Sequence, residues 1–358
     1  MTSKVETRRI SFLIGSMRRG GAERVISILA NNYAADGWNV DILTLLDDSN
    51  EYELNKNINL IPLGNSSKSR VTQLPAWIKS IRSYVIKNRP DRIVSFIARI
   101  NIITLFSCLG LNQRIVVSER NDPKVDGRSK IVEFATYLLY PLADTVIFQT
   151  KWARSCFPKN IQRNSLVIPN PIQIKSKASN IKNKKIVAVG RLTEQKNHSM
   201  LIRAFKRVHE DYPDYKLCIY GDGKLRSLLE EQIQELDLVK VVSLPGNVPN
   251  IHEEISNSEI FVLPSNYEGL SNALLEAMMM GLPCVSTNCA GSNEVIVNEN
   301  NGMLVPVGDE ESLYFAITRL IKQTNFRKKI AHEASVTAAQ FEKEAVVKMW
   351  KEVIEKNA

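Results

Sequence analysis

Eleven short apolar runs alternate with helix-period stretches along this chain, and that alternation constrains its fold more than any other feature. Short apolar runs bounded by polar turns suit strands buried on both faces of a parallel sheet, and the stretches between them suit crossover helices. Strands are predicted near 10–14, 39–45, 92–96, 114–117, 144–148 and 166–168, and again near 184–189, 216–220, 240–243, 260–263 and 283–286. Between the two series lies Ile174–Asn183, polar and rich in Lys, Ser and Asn, the best linker candidate. A chain of 358 residues suits two domains of about 150–200 residues each. The expectation is therefore an α/β protein of two Rossmann-like domains, 1–173 and 174–341, with terminal helices near 325–339 and 342–356.

Composition excludes several classes. Hydrophobic content of 44% with 24% charge describes an ordinary globular protein. No run of 18 apolar residues exists to span a membrane, and Ile10–Ile14 is too short for a signal-peptide core, so a cytoplasmic location is expected. Five cysteines and four scattered histidines (198, 209, 252 and 332) form no metal-ligand spacing, and the cysteines read as reduced thiols. Residues 1–171 hold 24 Lys and Arg against 14 Asp and Glu, so nearly all of the chain's net +9 sits in the first half. Such asymmetry suggests a polyanionic partner, nucleic acid or an anionic membrane surface. No zinc finger, RNA-recognition aromatic motif or helix-turn-helix signature supports nucleic acid. The stretch 68–92 places Leu74, Ile78, Ile81 and Val85 on one helical face, Trp77 and Tyr84 at its margin, and Lys68, Arg70, Lys79, Arg82, Lys87, Arg89 and Arg92 around them. It reads either as a membrane-surface helix whose Trp77 meets lipid or as an ordinary domain helix with a solvated basic back.

Chemistry concentrates where predicted strands end. Ile260–Leu263 stops at Pro264, a polar loop carries Glu268 and Gly269, and a helix follows from about Ser271 with Glu276 inside it. The free amides of such a helix start attract anions, and the two carboxylates stand about two turns apart. Upstream, Lys184–Val189 leads into Gly190-Arg191-Leu192 and Lys196-Asn197 before an amphipathic helix pattern from Met200. A planar guanidinium and a point-charge ammonium on one strand-to-helix loop can neutralise a diphosphate. A phosphate between two hydroxyl-bearing rings, as in a nucleotide sugar, fits this set. The alternative is two solvated surface cations and a glutamate that merely complements the helix dipole. Gly15–Gly21 follows the first predicted strand without the spacing of a dinucleotide fingerprint or a Walker lysine. Asp222 in Gly221-Asp222-Gly223 is expected to cap a helix from about Lys224.

Taken in order, Gly20-Gly21-Ala22-Glu23-Arg24, Ile168-Pro169-Asn170-Pro171, Gly190-Arg191-Leu192 with Lys196-Asn197, Tyr220-Gly221-Asp222-Gly223, Leu244-Pro245-Gly246, and Glu268-Gly269 with Glu276 resemble the retaining glycosyltransferases of family 4 across nearly the whole chain. The resemblance is nearest to enzymes that extend undecaprenyl-diphosphate-linked oligosaccharides in bacteria. It implies the GT-B fold, two facing Rossmann-like domains with an interdomain cleft, and a last helix, about 342–358, packing back on the first domain. It implies catalytic roles for Arg191, Lys196 and Glu268. Donor binding would fall to Gly190, Gly246, Asn247, Val248, Gly269, Leu270, Ser271, Asn272 and Glu276. Acceptor binding would fall to Gly15, Arg18, Gly20, Gly21, Glu119, Arg120 and Asn121. Many relatives place a histidine where this sequence has Arg120, which puts that residue's role in doubt; Glu119 could equally be its salt-bridge partner. The implied partners are a UDP-sugar, with N-acetylgalactosamine favoured, and a lipid-linked saccharide at the inner face of the cytoplasmic membrane. No cofactor or metal is expected, consistent with the lack of an Asp-x-Asp motif. A GT-B-fold UDP-sugar epimerase and a non-catalytic membrane-surface binder remain as alternatives, and oligomeric state is open.

Overall fold

The computed structural model describes residues 8–18, 20–64, 70–176, 179 and 183–356; Arg19, Lys68 and five residues of the expected linker lie outside these. Contacts divide the chain into two units, Met1–Pro171 with Glu344–Ala358, and Ile172–Lys343. The first carries a seven-stranded sheet of β1 (Arg9–Ile14), β2 (Asn39–Thr44), β3 (Ile58–Pro62), β4 (Arg92–Phe96), β5 (Ile115–Glu119), β6 (Thr145–Phe148) and β7 (Ser165–Val167), in the order β3-β2-β1-β4-β5-β6-β7. Its helices are α1 (Gly21–Ala35), α2 (Arg70–Asn88), α3 (Ala98–Ser107), α4 (Lys130–Leu139), α5 (Lys151–Ser155) and α6 (Lys159–Arg163). The second carries β8 (Lys185–Val189), β9 (Lys216–Tyr220), β10 (Val242–Gly246), β11 (Ile260–Leu263), β12 (Cys284–Thr287) and β13 (Met303–Val305), ordered β10-β9-β8-β11-β12-β13. Around it run α7 (His198–Asp211), α8 (Arg226–Glu235), α9 (Ile251–Ser256), α10 (Asn272–Met279), α11 (Glu310–Lys322) and α12 (Thr324–Ala338), before the final helix α13 (Lys343–Ile354).

Every strand pairing is parallel. Successive strand residues serve opposite faces, so Phe12 joins one core of the first unit and Leu13 the other. The strands β4, β5, β11 and β12 are buried throughout, and β11 is accordingly an uninterrupted apolar run, while β4, β5 and β12 bury polar residues as well. β3 and β13 were not expected from the sequence. Both are edge strands: β3 is only half-buried and ends in a proline, and β13 has three residues, so neither carries the double-sided burial that makes a strand conspicuous. In the first unit, α13 inserts Val346, Val347, Trp350 and Ile354 into the core beside Phe12 and Phe96. In each sheet the strand order reverses beside the first strand, at β1/β4 and β8/β11, and ligands of such sheets bind outside the strands' carboxyl ends at that reversal.

The helix over 70–88 corrects one expectation. Trp77 is only 4% exposed and packs with Ile81, Tyr84 and Val85 against Leu43 and Leu45 of the first core. The Tyr84 hydroxyl donates to the buried Asp41 carboxylate and lies 2.8 Å from the Ser11 hydroxyl, while Leu74 faces outward. Trp77 therefore does not face lipid; the aromatics seal the domain, Lys79, Lys87 and Arg89 are exposed, and Arg92 is buried in β4 with Nε donating to the Ile354 carbonyl.

Candidate active site

Topology brings the two strongest motifs together. The loops after β8 and β11 leave adjacent strands at the reversal point of the second sheet, so the residues they carry become neighbours. Lys196 Nζ lies 2.6 Å from Glu268 Oε1, and the Ser265 hydroxyl donates to the same oxygen at 2.6 Å. Both side chains are largely buried. The lysine stem runs across Gly190, where a Cβ would stand 3.1 Å from Lys196 Cδ and Cε; the glycine thus leaves the channel through which the ammonium reaches the carboxylate. Asn197, at a left-handed φ of 46°, caps α7 and donates from Nδ2 to Asn266 Oδ1 at 3.0 Å. Asn266 in turn donates to the Glu194 carbonyl, and the Gln195 amide donates to the Tyr267 carbonyl. These bonds stitch the two loops into one surface. Ser265 and Asn266 escaped sequence reasoning because they are common loop residues; their place beside Glu268 was the available signal.

Other residues of the expected set take separate places. Arg191 is exposed and makes no ion pair among the described residues. Glu276 is buried in α10, with Oε2 3.3 Å from His252 Nε2. His252 Nδ1 accepts the Lys175 amide at 3.2 Å, which puts the ring proton of the neutral form on Nε2, toward Glu276, although the alignment falls short of a regular hydrogen bond. Ser271 caps α10 by accepting the Leu274 amide, and Leu270 is buried beneath that start. Gly246 has φ 82° and its carbonyl accepts the Gly221 amide, while Asn247 is exposed and Val248 packs on the core near Tyr220. A Cβ on Gly291 would meet the Gly269 carbonyl oxygen at 1.4 Å, so the loop after β12 seats directly on the Glu268-Gly269 turn. Asp222 does not cap a helix. Its carboxylate accepts the Gly223 amide and the Arg226 Nε, and α8 starts two residues later than expected with an uncapped Leu225. His198, first in α7, is buried beside the Gly190 backbone and Lys196; burial, and then the lysine charge, push it down to about 4.

At the first sheet's carboxyl edge the structure reassigns Glu119. It is buried, accepting from Arg128 at 3.0 Å on Oε2 and from the Tyr140 hydroxyl on Oε1. Its partner is thus Arg128 and not Arg120, and with both oxygens engaged inward it holds the β5–α4 loop. Burial raises its pKa, against the opposing pull of Arg128. Arg120 is equally buried. Its guanidinium carbon lies 5.1 Å from the Phe96 ring and 5.2 Å from the Trp350 ring, and Nη1 donates to Asn170 Oδ1 at 3.1 Å. Gln149 donates to the same oxygen at 2.8 Å. Arg120 Nε and Nη2 have no partner, and burial pushes the group down to about 9, so it keeps its charge at neutral pH. Asn121 is exposed. Nearby, Ile97 follows β4 with φ 75°, a strained state for a β-branched residue. Gly15 follows β1, Gly20 precedes α1 and Gly21 begins it, and Arg18 pairs with Asp47 at 2.8 Å. Two cavities of about 510 and 530 Å³ lie elsewhere, the first along β7 beside α13 and the second at the amino ends of β4 and β5. We place the candidate site at the carboxyl edges, where the charged loops gather, because sheets of this order take ligands there. Among the described residues no group of three His, Cys, Asp or Glu is placed to hold a metal.

The model for "Glycosyl transferases group 1" matches residues 170–336 and that for "Glycosyltransferase Family 4" matches 19–176. An uncharacterised glycosyltransferase of Methanocaldococcus jannaschii is 30% identical over 78% of this chain and 81% of its own length. The chain belongs to the family 4 glycosyltransferases. This glycosyltransferase is also 29% identical, over 94% of its length and 96% of the relative's, to the N-acetylgalactosamine-N,N'-diacetylbacillosaminyl-diphospho-undecaprenol 4-alpha-N-acetylgalactosaminyltransferase of Campylobacter jejuni. Among solved structures, sucrose-phosphate synthase from Thermosynechococcus elongatus matches with TM-score 0.85 at 19% identity, covering 98% of this chain and 99% of that one. Anabaena HepE in complex with UDP matches with TM-score 0.83 at 20% identity, covering 97% and 100%. These likenesses establish the GT-B fold.

Proposed function

We propose that this glycosyltransferase moves a hexose or N-acetylhexosamine, N-acetylgalactosamine first among them, from a UDP-sugar to a polyprenyl-diphosphate-linked saccharide, with retention of anomeric configuration and without a metal ion. The observation that carries the reading is the 2.6 Å contact between Lys196 and Glu268 at the β8/β11 reversal. It joins a cation suited to a diphosphate to a carboxylate suited to sugar hydroxyls. The Campylobacter jejuni relative, named for N-acetylgalactosamine transfer onto a diphospho-undecaprenol saccharide, supports the substrate class.

In this reading the acceptor hydroxyl oxygen attacks C1 on the face that the diphosphate leaves. The new C1–O bond forms as the bond to the UDP oxygen breaks, and the acceptor proton passes to that departing phosphate oxygen, giving the extended saccharide and UDP. The protein contributes position and charge, which are large terms in such a step. Lys196 and Arg191 stabilise the leaving diphosphate with the amides at the α10 start, Glu268 accepts sugar hydroxyls, and Glu276 accepts the ribose hydroxyls. In the first unit, Arg120 binds the acceptor diphosphate through the N–H groups of Nε and Nη2. The enzyme works as a peripheral protein on the inner face of the cytoplasmic membrane.

The test is incubation with a panel of UDP-sugars and a short-chain lipid-diphosphate saccharide, read by mass spectrometry, with the anomeric coupling of the product read by NMR and parallel reactions in chelator. One added sugar, α-linked from an α-donor and formed equally in chelator, is the expected result. Consumption of UDP-sugar without acceptor would instead make the protein an epimerase.

A further inference from the structure

The outward side of α4 is apolar. Ile131, Phe134 and Leu138 are 80, 70 and 63% exposed, and Leu142, in the single 3-10 turn that continues the helix, is 56% exposed. Spacings of three and four residues set them in one stripe. The inner side of the same helix already fills the core with Thr136 and Leu139. A crossover helix needs one apolar face; a second, contiguous and exposed, marks a contact surface.

Residues 124–163, around this stripe in the chain, hold seven Lys and Arg against Asp126, Glu133 and Asp144. Lys130 opens α4, Lys151 opens α5, and Lys124 Nζ stands 5.7 Å from the ring centre of the half-exposed Trp152. The stretch 145–171 carries Lys151, Arg154, Lys159 and Arg163 with no acidic residue. Beneath the stripe the loop is rigid: Arg128 pairs with Glu119 at 3.0 Å and with Asp126 at 2.6 Å, and Ser129 caps the helix.

We propose that the α4 stripe is the surface by which the protein docks on an anionic lipid bilayer. Large exposed apolar side chains within a basic stretch of the chain, with a half-exposed tryptophan on the following helix, match a surface whose outer layer is anionic and whose interior is hydrocarbon. A second copy of the chain fits less well, because a self-complementary contact would set one net-basic region against another. The stripe, rather than the α2 face that the sequence suggested, is what the fold leaves open. Its purpose rests on the reading of a lipid-linked acceptor; its test does not.

The full chain is sedimented with phosphatidylcholine vesicles with and without phosphatidylglycerol, in the absence of acceptor. Wild type binds the phosphatidylglycerol vesicles, and Phe134→Glu with Leu138→Glu weakens that binding by roughly tenfold or more at unchanged thermal midpoint. Phe134→Ser serves should the double variant misfold. Lys124→Glu with Lys130→Glu loses the preference for phosphatidylglycerol, whereas Lys79→Glu on α2 leaves binding as it was. Equal vesicle affinity of the stripe variant and wild type overturns the docking surface, as does a wild-type dimer that the variant dissolves without any vesicle binding. Vesicle binding by a protein that transfers no sugar would leave docking intact and end the acceptor reading; transfer to a soluble acceptor without vesicle binding would do the reverse.

Discussion

The two sheets hold charge at their carboxyl edges in opposite ways. In the second unit the cation is already paired: Lys196 and Ser265 both donate to Glu268 Oε1. In the first unit the carboxylate nearest in sequence, Glu119, is taken by Arg128, and Arg120 keeps two aromatic rings and one amide oxygen instead. A paired cation is held extended and dry before any ligand arrives, and a phosphate must then share it. A buried guanidinium with two idle nitrogens carries a desolvation cost that an incoming anion can relieve. One edge is organised in advance; the other is completed by what binds.

The strongest way to break this contrast is Lys196→Ala. Transfer should fall by roughly 100-fold or more, as for a lost electrostatic contact in the transition state. Stability should fall as well, by about 3 kcal/mol, since Glu268 is left as an uncompensated, largely buried charge. Adding Glu268→Gln should recover the thermal midpoint and leave transfer impaired. Recovery of kcat along with stability would mean that Lys196 serves the fold alone.

Much of the second edge was legible because its chemistry is local: a loop after a buried strand, a cation or carboxylate, then a helix start. Parallel pairing of β8 and β11 then makes neighbours of two motifs some seventy residues apart. What escaped depends on contacts that no local pattern encodes. Glu119 has arginines at 120 and 128, and only the course of the intervening loop decides that the more distant one pairs. Trp77 looked marginal on a helical wheel, yet α2 is rotated so that it meets Leu43 and Leu45. The α4 stripe could have been seen in Lys130–Leu139, where Ile131, Val132, Phe134, Ala135, Leu138 and Leu139 make an apolar arc wider than one core face uses.

Arg120→Met sharpens the contrast from the other edge. A thioether between Phe96 and Trp350 suits that slot better than a desolvated guanidinium, so the variant should be as stable as wild type or more so. The KM for the lipid-diphosphate acceptor should rise roughly tenfold, the loss of a charged hydrogen-bonding contact, with donor KM unchanged. A clear drop in stability, or a rise in donor KM instead, would place Arg120 outside the acceptor contact. In the second unit Glu276→Gln should raise donor KM several-fold and leave kcat nearly intact, as for a binding contact. Unchanged donor affinity would reject the ribose role and leave Glu276 as the partner of His252.

The smallest expected effect separates the units by pH. All four histidines lie in the second unit, and His198 is buried beside Lys196, with neither ring nitrogen in a hydrogen bond of ordinary geometry. Burial and the Lys196 charge push it down to about 4, against about 6.5 in an unfolded chain. Between those values the unfolded chain binds more protons than the folded one, so stability is full above 6.5 and is lost as pH falls toward 4. The loss should reach about 1 kcal/mol at pH 5.5, read as a falling thermal midpoint. His198→Leu should flatten that part of the profile, whereas Arg120→Met should leave it unchanged, because the first unit contains no group that titrates there through a histidine. A profile equally steep with leucine at 198 would show that the acid sensitivity arises elsewhere and that the surroundings of Lys196 tolerate a second positive charge.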